Sequence, residues 1–136
     1  MPLWKLFYHI VWATRGREPL LGGGVEGVVL SAIRKKAVEL GARVYALNGA
    51  GDHVHLVAAI PPSVSLSKFV GQVKAVSSFS VNQSRLLEEK FAWQKEYSVF
   101  SLDWKRLGTV IDYVRRQKEH HRDGTVVAIF ERTEGE

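Results

Sequence analysis

Residues 3–14 (LWKLFYHIVWAT) are crowded with aromatic and β-branched side chains and predict a long strand. Arg15 to Gly24 holds Pro19 and three consecutive glycines, Gly22 to Gly24, and predicts a loop. From Val25 to Leu40 the period changes. Val25, Val28, Val29, Ala32, Ile33 and Val38 recur at helical spacing, with Lys35 and Lys36 turned outward, and Gly41 stands where a helix C-cap glycine belongs. Arg43 to Leu47 predicts a second strand, Asn48 to Gly51 a turn, and His53 to Ile60 a third strand, with the Asn-Gly pair as the hairpin signal. Pro61-Pro62 stops that strand. Ser65 then suits an N-cap for a helix with Leu66, Phe69, Val70, Val73 and Val76 on its apolar face and Lys68, Gln72, Lys74, Ser77, Ser78 and Ser80 on the other. A short strand at Tyr97 to Leu102 follows. Asp103 caps a last helix over Trp104 to His121, with Leu107, Val110, Ile111 and Val114 inward. Val126 to Phe130 predicts a short extended tail, and Glu131 to Glu136 a frayed end.

The order β-α-β-β-α-β-α predicts an α+β fold, a ferredoxin-like sheet with helices on one face plus a C-terminal helix. At 136 residues, with no linker, repeat or low-complexity tract, the chain is expected to form one domain over residues 1–136. Cysteine is absent, which excludes disulfides, thiolate metal sites and a cysteine nucleophile. Nineteen Lys and Arg against fourteen Asp and Glu leave a net charge of +5, an excess that suits a polyanionic partner without proving one. No apolar run is long enough for a membrane helix, and the N-terminus carries no signal-peptide pattern, so the expectation is a cytoplasmic protein with no membrane partner.

Chemistry concentrates in two places. In the third strand, alternation turns His53 and His55 to one face and Val54 to the other, so the two imidazoles can share one divalent ion. Two histidines held in a core or left in solvent give the same pattern, and two ligands alone do not make a tight site. In the last helix, at about 100° per residue, Tyr113 and Gln117 are neighbours on one face. With Leu107 at zero, Arg106, Tyr113, Gln117 and His120 fall at roughly 220–280°, on the flank of the apolar stripe rather than inside it. Gln117 can offer a metal its carbonyl oxygen and Tyr113 can offer a phosphorus its phenol. A boundary tyrosine with its hydroxyl in water fits the same spacing. Trp93 and Trp104 read as packing residues, and His120-His121 as a solvated helix end. No HExxH, GxSxG, P-loop or carboxylate pair beside the histidines is present, and Gly22 to Gly24 lacks the GK[ST] of a phosphate cradle.

Taken in order, these segments resemble the single-tyrosine HUH transposases of the IS200/IS605 group, the IS200-like or Y1 transposases. The resemblance covers residues 3–122. It is carried by Tyr8 to Arg15 with Arg17, Pro19 and Leu20, by Gly51-Asp52-His53-Val54-His55-Leu56-Val57, by Ser65 to Ser78, by Phe91 to Gln94 with Tyr97 to Ser101, and by Tyr113 to Gln117 followed by Glu119-His120-His121. It implies that His53, His55 and Gln117 bind Mg²⁺ or Mn²⁺. It further implies that Tyr113 attacks a DNA phosphate to give a 5′-phosphotyrosine, that the substrate is single-stranded DNA bearing hairpins, and that the protein works as a homodimer. Arg15, Arg17, Lys68, Lys74, Lys105, Arg106, Arg115 and Arg116 are the candidate phosphate contacts. Gly51 and Glu96 depart from the family pattern, where a proline and a glycine are usual.

A strand-transferring transposase is therefore the first reading. The alternative is a domesticated relative that binds hairpin DNA without cutting it. A third is a metal-dependent phosphoesterase using the two histidines and water, which predicts no covalent adduct and indifference to Tyr113.

Overall fold

A computed structural model describes residues 3–119 together with Glu131 and Thr133. Four strands, β1 (Phe7–Ala13), β2 (Arg43–Gly49), β3 (His53–Ala59) and β4 (Ser98–Leu102), form one sheet in the order β2-β3-β1-β4, every neighbouring pair antiparallel. This is the expected ferredoxin-like arrangement. Helices α1 (Gly23–Glu39) and α2 (Leu66–Ser84) cover one face, and the additional C-terminal helix α3 (Trp104–Arg115) lies on the other.

Strand alternation sorts the two faces. Ile10 and Trp12 of β1 and Val54, Leu56 and Ala58 of β3 pack against Val25, Val29 and Ile33 of α1 and Phe69, Val70 and Val73 of α2. Each such side chain, fully buried, contributes about 1.5–3 kcal/mol of transfer free energy. The opposite face carries Val57 and Ala46, which meet Val110, Tyr113 and Val114 of α3. His9, His53 and His55 project from that same face and are buried there.

Several local expectations shift. The first strand starts at Phe7, not Leu3, and Thr14 ends it by bonding across to Trp93. Val38 leaves the apolar face of α1, and Ala37 takes its place. Ser77, expected outside, is buried: its hydroxyl donates to the Val73 carbonyl at 2.7 Å and accepts from the Trp93 indole N–H at 2.9 Å. Trp93 packs as expected, whereas Trp104 is 64% exposed on the first turn of α3. Asn48-Gly49 is strand, not turn. The reversal falls at Ala50 to Asp52, where Gly51 has φ +74°. A proline ring holds φ near about −65°, so a proline in place of Gly51 does not fit this turn. Ser65 and Asp103 cap α2 and α3 as expected, accepting from Lys68 N at 3.1 Å and Arg106 N at 3.0 Å. His120, His121 and the expected tail at 126–130 lie outside the described residues. Among the described residues, no helix is long and apolar enough to cross a membrane.

Candidate active site and metal centre

The buried stripe of α3 is Val110, Tyr113 and Val114, continued by Gln117, at i, i+3, i+4 and i+7. The sequence pattern placed it one flank away, on Leu107, Val110, Ile111 and Val114, because an apolar count cannot see that a tyrosine and a glutamine face a polar floor. Leu107 and Ile111 are half-buried at the edge instead. Gln117 is fully buried and Tyr113 nearly so, which removes the reading of a boundary tyrosine with its hydroxyl in water.

Two anchors hold this helix on the sheet. The α3 backbone departs from helical geometry at Arg116 (φ −100°, ψ 22°), which leaves the last carbonyls without helical partners. Asn48, projecting from β2 on the same face as Ala46, donates from Nδ2 to the Val114 and Arg115 carbonyls at 3.1 and 3.2 Å. Beyond the break, Lys118 Nζ donates to Asn48 Oδ1 at 2.8 Å and pairs with Glu26 of α1 at 2.6 Å. Asn48→Ala is expected to lower stability by about 1–3 kcal/mol, since it removes a donor shared by two carbonyls; the urea midpoint measures it.

The site itself converges on Glu131. His53 Nε2 and His55 Nε2 lie 2.8 and 3.1 Å from Glu131 Oε1. The Gln117 amide donates to both carboxylate oxygens at 3.0 and 3.1 Å, and the Tyr113 hydroxyl donates to Oε2. Burial alone would raise the Glu131 carboxyl, but hydrogen bonds from His53 and His55, the charge on His55 and the Tyr113 hydroxyl together hold it well below the usual carboxylate range. Oε1 therefore faces the imidazoles while Oε2 faces the phenol.

Each imidazole is held from behind as well. His53 Nδ1 contacts Asp52 Oδ1 at 2.7 Å, and Arg17 holds that carboxylate through its Nε at 3.3 Å. His55 Nδ1 lies 2.8 Å from Nε2 of His9, a fully buried residue of β1. Burial and the neighbouring His55 push the His9 imidazolium down to about 3, so that ring is neutral near neutral pH.

Among the described residues, His53, His55 and Glu131 form the cluster able to hold a metal ion, their ligand atoms all within 4.8 Å of one another. Gln117 turns its Nε2 to Glu131, and its Oε1 is buried with no hydrogen-bond partner; turning the amide over would offer that acceptor to a cation. Two imidazole nitrogens with carboxylate and amide oxygens form a donor set suited to Mn²⁺ and tolerable for Mg²⁺. The expected residues His53, His55, Tyr113 and Gln117 are thus all brought together. Glu131, expected in a frayed end, is the residue that sequence reasoning missed, and no spacing or motif marks it. His9 had a usable signal: the alternation applied to His53 and His55 also puts it on a buried strand face.

The basic candidates are dispersed. Arg17 is engaged by Asp52 and donates to Thr133 Oγ1 at 2.9 Å. Lys74 donates to the Gln94 and Lys95 carbonyls at 2.6 and 3.1 Å, and its pKa is lowered by burial. Arg116 pairs with Glu119 at 2.7 Å. Arg15, Lys68, Lys105, Arg106 and Arg115 are exposed. Arg15 lines a cleft of about 450 Å³ with Lys74, Lys90, Trp93 and Lys95.

A family model described as "Transposase IS200 like" matches residues 2–117. The transposase for insertion sequence element IS200 of Salmonella typhimurium is 30% identical over 131 residues, covering 93% of this chain and 86% of the relative. The ISDra2 transposase TnpA of Deinococcus radiodurans is 24% identical over 122 residues, covering 86% and 87%. A crystal structure of a candidate transposase from Deinococcus radiodurans superposes with a TM-score of 0.70 at 24% identity, over 86% of this chain and 94% of that one. A REP-associated tyrosine transposase bound to a REP hairpin superposes with a TM-score of 0.63 at 16% identity, over 93% and 76%. With the matched segment spanning β1 through Gln117, the chain belongs to the IS200-like transposase family.

Proposed function

We propose that this transposase cleaves and rejoins single-stranded DNA through a phosphotyrosine formed on Tyr113, with a divalent metal held by His53, His55, Glu131 and Gln117. One observation carries the reading: the Tyr113 phenol and the two histidine Nε2 atoms meet on opposite oxygens of a single carboxylate. A nucleophile and a cation site a few ångströms apart are what phosphodiester transfer needs.

When bound, Mg²⁺ or Mn²⁺ supplies Lewis-acid stabilisation of charge on the phosphate oxygens. The chain's own residues do the rest. The Tyr113 oxygen bonds to phosphorus as the bond to the 3′ oxygen breaks. The phenolic proton leaves along its hydrogen bond to Glu131 Oε2, and the 3′ oxygen takes up a proton to depart as a hydroxyl. Because Glu131 is a weak base, the proton moves only as the new bond forms. Reversal by a 3′ hydroxyl restores the phenol and joins the strand.

The substrate is single-stranded DNA with hairpins at the element ends. This agrees with the net charge of +5 and with the hairpin-bound structural neighbour. Arg15, Lys68, Lys105, Arg106 and Arg115, with their cations exposed, contact phosphates directly. Arg17, Lys74 and Arg116, engaged within the protein, stand as second-line contacts. Residues 1–136 act as one cytoplasmic domain, and the working unit is a homodimer, as the family resemblance implies.

The test incubates the protein with Mn²⁺ and end-labelled single strands carrying hairpins from the flanks of its own gene. Denaturing electrophoresis then resolves a covalent protein–DNA band, expected only with metal present. Hairpin retention on a native gel without such a band would support the non-cutting relative instead. Cleavage without a band would support water-activated hydrolysis.

A further inference from the structure

We infer that His9 is a positioning residue for the metal centre, holding the His55 ring so that its Nε2 faces the ligand position. The inference rests on His53 and His55 being the metal ligands proposed above. His9 sits on β1, a strand hydrogen-bonded on both sides, by β3 and by β4, so its backbone has little freedom. Its ring is fully buried. It meets the His55 ring edge to edge, with centroids 5.1 Å apart and planes 20° from parallel, and it lies 6.0 Å from the Phe100 ring. The Nε2 of His9 meets Nδ1 of His55 at 2.8 Å, on the side of the His55 ring away from Glu131.

The chemistry of the pair explains why the residue is histidine. A metal-bound imidazole uses the lone pair of one nitrogen and carries its proton on the other. With Nε2 of His55 on a cation, its proton must sit on Nδ1, and Nε2 of His9 accepts it. With no cation, a neutral His55 with its proton on Nε2 donates to Glu131 and accepts at Nδ1 from Nε2 of His9, whereas a charged His55 donates to both. Neutral imidazole serves both states by exchanging tautomers. A side-chain amide also serves both, by turning over. A hydrocarbon serves neither.

His53 has an equivalent support in Asp52, which Arg17 holds in place. The two ligands are thus fixed by unlike partners: a charged carboxylate at the rim and a buried neutral ring under the sheet-facing side. Outer partners of this kind are commonly worth about 10–100-fold in metal affinity.

The test titrates Mn²⁺ into the full-length protein by electron paramagnetic resonance, with thermal melts by circular dichroism alongside. Native protein, His9→Leu and His9→Gln are compared. His9→Leu is expected to bind Mn²⁺ about 10–100-fold more weakly while melting cooperatively. His9→Gln, whose amide reaches the place of Nε2, is expected to regain most of that affinity. Should His9→Leu fail to fold, His9→Asn, whose amide falls short of His55, replaces it with the same expectation. Native affinity in a folded His9→Leu overturns the inference. So does equal weakness in His9→Leu and His9→Gln, which would mark His9 as a packing residue. Failure of the folded native protein to bind Mn²⁺ overturns the metal-site reading itself, a pattern distinct from both.

Discussion

Tyr113→Phe will form no covalent adduct with DNA and will cleave at least about 10⁴-fold more slowly than the native protein, because the attacking oxygen is gone. Hairpin retention on a native gel should be unchanged. The phenylalanine ring fills the same space against Val57, Val110 and Val114, so α3 keeps its place on the sheet. Removing the hydroxyl deletes one hydrogen bond to Glu131, for which about 1.5–3 kcal/mol is typical when the acceptor is charged. The carboxylate keeps its contacts with His53, His55 and Gln117, so the fold should hold while the melting temperature falls by roughly 5–15 °C. The separation of binding from cutting gives the experiment its force. Cleavage at the native rate in Tyr113→Phe would end the phosphotyrosine mechanism and return the two histidines to a water-activated phosphoesterase. Loss of both cutting and retention would show that the phenol is needed for the shape of the site.

Most of the fold was legible because its signals are local. Period-two runs, a period-3.6 run between glycines, Ser65 and Asp103 as caps and Pro61-Pro62 as a stop each act through neighbouring residues alone. The site was half legible for the same reason. His53 and His55 share a face by alternation, and Tyr113 and Gln117 share one by helical pitch. What brings the two pairs together is non-local. The face of the sheet that α3 covers is set by the packing of α1 and α2 on the other side, and its rotation by a polar floor that an apolar count ignores. Asn48 shows the limit clearly. Asn-Gly is a turn signal by propensity, yet Asn48 stays in the strand, where it pairs with His55 in register and caps α3. Tertiary hydrogen bonding overrides local preference there. Glu131 was illegible altogether, since a single acidic residue near a chain end carries no periodicity, and its role arises only from what surrounds it.

His55→Ala should slow cleavage sharply at micromolar Mn²⁺ and leave hairpin retention in place. The imidazole contributes one of two nitrogen donors to the metal cluster, and losing it leaves His53, Glu131 and Gln117 to hold the ion. Lewis-acid stabilisation of a phosphoryl transition state is worth several kcal/mol, so the rate should fall by about 10²–10⁴-fold. Part of that loss should return at millimolar Mn²⁺, because affinity rather than the phenol has been removed. Tyr113→Phe, by contrast, should gain nothing from added metal. The structural cost is also larger than for Tyr113→Phe. His55 is fully buried between His9 and Glu131, so its truncation opens a cavity, costing about 2–4 kcal/mol, and takes one donor from a buried carboxylate. Circular dichroism must therefore show a folded protein before the kinetics are read. A folded His55→Ala with native activity and native Mn²⁺ dependence would remove His55 from the metal site. It would leave His53, Glu131 and Gln117 as the ligands, and with them a centre in which His9 has nothing to position.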